Sequence, residues 1–153
     1  MHMEIVEIHE RYVIEKIFDH NGLKCVVTFN DNGWRCGYVG VPKGHKFYGK
    51  KYEEIESQIE YGDCHGGLTF SSESVGEKYP IKSDLWWFGF DCAHYGDGKD
   101  LDLAIKLFPH STKRLCMIKA CENMFPTYEQ VRSCEYVTDN CISLANQLAK
   151  HWS

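Results

Sequence analysis

Two short stretches hold the side chains best suited to acid–base or ligand chemistry. Residues 64–71 read CHGGLTFS and supply His65 and Thr69; residues 84–97 read DLWWFGFDCAHYGD and supply Asp91, Cys92, His94 and Asp97. Imidazole changes its charge close to neutral pH, so it serves as acid, base or ligand. A carboxylate beside it would orient it, as in general acid–base sites. Gly66 and Gly67 directly follow His65. A Gly-Gly pair frees the backbone for unusual angles, lets a ligand approach closely and offers amides to an oxyanion or phosphate.

Each of these residues also has a plainer role. The His-Gly-Gly stretch is equally a tight turn entering a strand, with His65 merely solvated. Asp91 caps a turn through backbone amides as readily as it orients His65 or His94. With Asp91 and His65, the His94/Asp97 pair would suit a divalent metal, although no H-x-H or H-x-x-x-H pair fixes that geometry. A thiol nucleophile at Cys92 would need exposure and a lowered pKa. With eight cysteines in the chain, a buried structural thiol is the simpler reading. Trp86, Trp87 and Tyr95 would stack on a base or ring, or fill the core.

These groups need rigid supports. Residues 85–90 (LWWFGF) read as a strand buried on both faces, delivering Asp91 at its end. In an extended chain Asp91 and Ala93 face one way and Cys92 and His94 the other; a strand ending at Asp91 would break that parity. Residues 65–71 read as the partner strand, and residues 72–83 as a polar connector. Upstream, residues 11–18 (RYVIEKIF), 24–29 (KCVVTF) and 34–41 (WRCGYVGV) have strand character. Asn21-Gly22 and Asn32-Gly33 sit between them, which predicts a three-stranded antiparallel meander.

Residues 43–51 (KGHKFYGKK) form a basic, glycine-punctuated loop, and residues 52–60 a short helix stopped by Gly62. Residues 101–108 fit both helical and strand periods, and residues 111–123 a short helix. Val137, Cys141, Leu144 and Leu148 recur at helical spacing. Ser133 is the preferred cap of that last helix, with residues 128–132 extended. The expected fold is therefore α+β: a curved antiparallel sheet of about five strands with a C-terminal helix packed on one face, in a single domain spanning 1–153.

The composition narrows the function. A 43% hydrophobic chain of 153 residues can bury a core without disulfides or metal. A net charge of −5 argues against broad nucleic-acid or membrane-surface binding. Local clusters, residues 43–51 and Lys113-Arg114, would still hold a small anion. No apolar run reaches the roughly 18 residues of a membrane span, and the acidic N-terminus is unlike a signal peptide. A cytoplasmic setting with reduced thiols is expected. No C-x-x-C pair signals a zinc site. Edge strands leave a homo-oligomer open.

Four segments together, GYVGVPKGHKFYGK at 37–50, HGGLTF at 65–70, WWFGFDCAHYGD at 86–97 and CEYVTDNCISLANQL at 134–148, resemble a family of small, mostly uncharacterised proteins encoded by bacteriophages and prophages. The resemblance implies a phage origin and action in the host cytoplasm, where such accessory proteins counter host defence. It implies neither a fold class nor a site.

The leading expectation is recognition of a small phosphorylated, nucleotide-like ligand, sequestering a host signal. His65, Gly66, Gly67, Thr69, Asp91, His94 and Asp97 would grip it, Tyr95 would stack on it, and Lys43, Lys46 and Lys50 would balance its charge. A phosphodiesterase-like hydrolase using His65 and His94, with or without a divalent metal and with Asp91 in support, is the first alternative. An inhibitor that works by protein contact alone is the second; it predicts an exposed apolar patch away from these residues.

Overall fold

The computed structural model describes residues 5–59, 64–75 and 81–152. Six antiparallel strands form the main sheet in the order β1-β2-β3-β4-β6-β5. They are β1 (Glu7–Ile8), β2 (Tyr12–His20), β3 (Leu23–Asn30), β4 (Arg35–Val41), β5 (Phe70–Val75) and β6 (Ile81–Asp91). The predicted meander is present as β2–β3–β4. Its first turn carries Asn21 at φ 53° and Gly22 at φ 81°, the pair of left-handed residues that matches the twist of a tight hairpin.

The short β1 adds a strand beyond the expected five. The strand predicted over 65–71 is displaced: residues 64–67 form a turn and β5 begins at Phe70, with Thr69 already bonded to the sheet through its amide and the Gly89 carbonyl (2.9 Å). β5 and β6 also reach into the segment read as a connector. Alternation fails there because β5 is a polar edge strand, FSSESV, and its register shifts between Ser72 and Ser74. β6 lies inside the sheet between β4 and β5, and its aromatic run packs on both faces, Phe88 and Phe90 on one and Trp87 on the other.

The helices are α1 (Tyr52–Ile55), α2 (Leu101–Leu107), α3 (Thr112–Met124) and α4 (Cys134–Ala149). The residue proposed to stop the first helix, Gly62, lies outside the described residues. The 101–108 ambiguity resolves to a helix, because Asp100 caps it by accepting the Leu103 amide (3.2 Å). Ser133 caps α4 through the Tyr136 amide (3.1 Å). Among the described residues no helix is long and apolar enough to cross a membrane.

Side-chain alternation assigns the two faces of the sheet. Leu23, Cys25 and Val27 of β3 and Val39 and Val41 of β4 pack with Phe88, Phe90 and the buried stripe Val137, Cys141, Leu144 and Leu148 of α4. Farther along the same face, Val13 and Phe29 meet Leu101, Ala104 and Phe108 of α2 and its flank, and Leu115 of α3. On the opposite face Ile14 of β2, Val26 of β3 and Trp87 of β6 share one buried cluster with Val75. Strands that are not neighbours meet there, which requires the sheet to curl over that face.

A bulge in β2 at Glu15, where the register shifts between Ile14 and Lys16, turns that carboxylate toward the helices. Arg35 forks onto it, Nε to Oε1 at 2.7 Å and Nη2 to Oε2 at 3.1 Å. The guanidinium lies 4.8 Å over the Phe29 ring. Its remaining Nη1 donates to the Arg132 carbonyl at 3.0 Å.

Candidate functional site

The site is assembled where β6 ends. Asp91 pairs with Cys36 at the start of β4, and the chain then leaves the sheet. The two-residue strands β7 (Asp97–Gly98) and β8 (Gln130–Val131) pair in parallel. That bridge brings Arg132, the residue after β8, beside Asp97, and the first turn of α4 adds Tyr136.

Asp97 is the centre. Its side chain is 1% exposed. Oδ2 accepts from His65 Nε2 (2.8 Å) and the His94 amide (3.0 Å). Oδ1 accepts from Arg132 Nε (2.9 Å) and also faces His65 Nε2 (3.0 Å). Burial alone would raise this carboxyl's pKa. The hydrogen bonds from Arg132, His65 and the His94 amide outweigh burial and hold it below the ordinary carboxylate value. The same bond from Asp97 raises Arg132.

His65 is held at both ends. With Nε2 donating to Asp97, neutral His65 leaves Nδ1 as an acceptor, and the Tyr136 hydroxyl donates to it at 2.7 Å. Tyr136, His65 and Asp97 thus form a phenol–imidazole–carboxylate chain. The Arg132 guanidinium covers the Tyr136 ring at 4.9 Å.

His94 lies beside this chain, its ring 5.7 Å from that of His65. Its Nε2 is 3.3 Å from Asp91 Oδ1. Asp91 also accepts from Thr69 Oγ1 (3.1 Å) and the Ala93 amide (3.1 Å). Asp91 thus caps the turn, and the imidazole it faces is His94, whose Nε2 makes no hydrogen bond; His65 has Asp97. The strand ends at Asp91, so the extended parity lapses and the Asp91 and His94 side chains meet. Gly66, at φ +70°, sits under the His94 ring, where a Cβ would overlap ring atoms.

The remaining candidates are spread more widely. Gly67 adjoins the cluster with open space around it. Tyr95 projects fully into solvent at its rim. Lys43 follows β4 beyond Val41, whereas Asp91 pairs at the other end of that strand. Lys50 is tied to that far end by its carbonyl, which accepts from Trp86 Nε1 at 2.7 Å. Lys43 is accordingly not brought to the cluster. Trp87 is buried core and Trp86 is partly covered.

Cys92 is buried, and burial first, then the Asp97 charge, push its thiol up to about 12. That is the reverse of an activated nucleophile. Asp97 is fully engaged by protein donors, which removes it from the imagined metal set. Among the described residues no group of three or more His, Cys, Asp or Glu is arranged to hold a metal ion.

Sequence reasoning missed Arg132 and Tyr136. Tyr136 lies 71 positions from His65 and Arg132 35 positions from Asp97. Only the β7–β8 bridge and the docking of α4 bring them together. Comparisons with family models, with curated proteins and with solved structures returned no match to this chain.

Proposed function

We propose that the mouth formed by residues 64–69, 91–97 and Arg132 binds a small phosphorylated, nucleotide-like ligand. The observation that carries this reading is the convergence of the His65 ring, the His94 backbone amide and the Arg132 guanidinium on the single buried carboxylate of Asp97, with the His94 ring beside them. Arg132 is the cation beside that carboxylate, and a guanidinium with a free N–H is the group that would meet an incoming phosphate. Arg132 takes the place of Lys43 as the cation of the site. Its Nε bonds Asp97 and its Nη1 bonds Gln130 Oε1, leaving Nη2 to the ligand. Asp91 and Thr69 are exposed enough to hydrogen-bond sugar hydroxyls, and Tyr95 stands where a base would stack. Sequestration of a cyclic-nucleotide or ADP-ribose-type host signal by a phage-encoded protein would be its use.

The test is native mass spectrometry of protein from phage-infected cells beside the denatured sample, with titrations of 3′,5′-cyclic nucleotides and ADP-ribose. An intact phosphorylated compound released on denaturation, and lost in His94→Ala and Arg132→Ala, is the expected result. Folded variants that retain the compound would overturn the reading.

The Tyr136–His65–Asp97 chain supports a second reading, hydrolysis. Its geometry is that of a hydroxyl nucleophile, an imidazole base and an orienting carboxylate. His65 would take the phenol proton while Asp97 stabilises the imidazolium. His94 would then not be its acid–base partner, because both nitrogens of His65 already face protein groups. Turnover of bis(p-nitrophenyl) phosphate, abolished in Tyr136→Phe, would select this reading over binding. The contact-only alternative has its own support in the exposed run Met124, Phe125, Tyr128 and Val131. It predicts that His65→Ala and Asp91→Ala fold and keep activity.

A further inference from the structure

A groove lies away from the His65 cluster, along α3. It is a shallow, open groove of about 690 Å³ lined by Met117, Ile118 and Cys121 with Lys99, His110, Lys113, Arg114 and Glu122. That volume is within the range of small-molecule sites, which pair apolar walls with a few placed polar groups. α3 carries apolar side chains around much of its circumference. Leu115 faces the core while Met117 and Cys121 are exposed. An amphipathic surface helix would place polar residues at the outward positions.

The charges around the groove run against the rest of the chain. The protein carries a net −5, yet here two lysines and an arginine face one acid. That acid, Glu122, sits 3.9 Å from Lys99. Lys99 is fixed from below, its Nζ 5.1 Å over the Trp34 ring. Arg114 is anchored by Asn32 Oδ1 (3.1 Å) and the Asp31 carbonyl (2.9 Å). The Asp31 carboxylate is shared between Arg114 (3.7 Å) and Arg11 (3.2 Å), so it does not neutralise both. Lys113 is exposed and has no ion-pair partner among the described residues.

We propose that this groove binds an anionic amphiphile: one acidic head, carboxylate or phosphate, on an apolar or aromatic body. The head would sit at Lys113 and Arg114, and the body would lie on Met117, Ile118 and Cys121. The groove shares no lining residue with the His65 cluster, and the proposal does not depend on the function proposed for that cluster.

The probe is 1-anilinonaphthalene-8-sulfonate, an aromatic body with one fixed negative charge, titrated onto the full chain by fluorescence and calorimetry. N-phenyl-1-naphthylamine, its uncharged counterpart, is run beside it. One saturable site per chain is expected, weakening as salt rises. Lys113→Glu and Met117→Asp should each weaken it about fivefold or more, with unchanged melting temperatures. His94→Ala should leave it untouched. A parallel titration with decanoate and decyl phosphate separates the two head groups. Equal affinity for the uncharged probe, no saturable binding, or retention of binding in both folded α3 variants overturns the proposal. Loss of binding in His94→Ala would do the same, by placing the probe in the His65 cluster.

Discussion

Arg35 holds the backbone of Arg132: its Nη1 donates to the Arg132 carbonyl at 3.0 Å while its other two nitrogens fork onto buried Glu15. The side chain of that same Arg132 grips Asp97. The bulge in β2 is therefore connected, through two arginines, to the carboxylate at the centre of the candidate site.

Arg35→Lys tests that connection. A lysine is a point charge and cannot fork onto Glu15 while also reaching the Arg132 carbonyl. Losing two charge-assisted bonds in a buried setting should cost about 2–4 kcal/mol. The denaturant midpoint should drop with an unchanged slope, and the amide of Gln130 should exchange faster. An unaltered midpoint would mean that the fork contributes nothing to stability.

Asp97 predicts an acid limit. Its folded pKa lies below the unfolded value near 3.8, so the native state binds fewer protons through that range. The stability it contributes is complete above the unfolded value and is lost as pH falls through the folded one. Wild-type unfolding free energy should decline from about pH 5 downward, with a shallower decline in Asp97→Asn. At neutral pH the variant should be about 2–4 kcal/mol less stable, since Arg132 and His65 lose the shared negative charge and one of its two acceptor oxygens becomes an NH2 donor. Identical pH slopes in the two proteins would remove Asp97 from the explanation.

His45 predicts a second, milder limit. It is buried between the Phe47 amide, which donates to Nδ1 (3.0 Å), and the Leu148 carbonyl, 2.8 Å from Nε2. Burial lowers its pKa, the Leu148 bond opposes that, and the nearby His151 charge adds to it. A lowered folded value means stability is full above about 6.5 and falls as pH drops through the folded value. Chemical denaturation between pH 7.5 and 5 should show this loss, and His45→Gln should flatten it. The end of α4 should also loosen in acid, which hydrogen exchange at residues 148–151 would register.

Gly66 and Gly67 make a matched pair. Both hold left-handed φ angles, +70° and +81°, but a Cβ would strike His94 only at Gly66. Alanine at either should cost about 1–2 kcal/mol of backbone strain. Gly66→Ala should in addition shift the His94 ring resonances and weaken the proposed ligand binding more than Gly67→Ala does. Equal effects on His94 in both variants would contradict the close approach described above.

The sequence was most legible where short-range chemistry decides structure. Asn21-Gly22 announced the first hairpin, Ser133 the start of α4, and the stripe through Val137 and Leu148 its buried face. Cys92 read correctly as a buried thiol. The ambiguity at residues 101–108 could not be settled by periodicity, since the deciding contact is a single cap from Asp100. The candidate cluster was legible by half. His65, Asp91, His94 and Asp97 stood in recognisable polar stretches, but their pairing did not follow from order along the chain. His65 takes Asp97, and Asp91 takes His94. Arg132 and Tyr136 carried no local signal. Lys43, singled out by charge alone, follows the end of β4 away from this cluster.

The inner place of β6 also governs the order in which this chain can assemble. β2, β3 and β4 join through short hairpins and close small loops, which costs little entropy. Pairing β4 with β6 closes the whole span between Val41 and Trp86, and such distant closure comes slowly. The segments that carry His65 and Asp97 flank this last pairing, and Arg132 and Tyr136 come later still. A growing chain would therefore hold a meander well before it holds a site. The proposed ligand affinity would appear only when the final helix docks, as a report on completed folding.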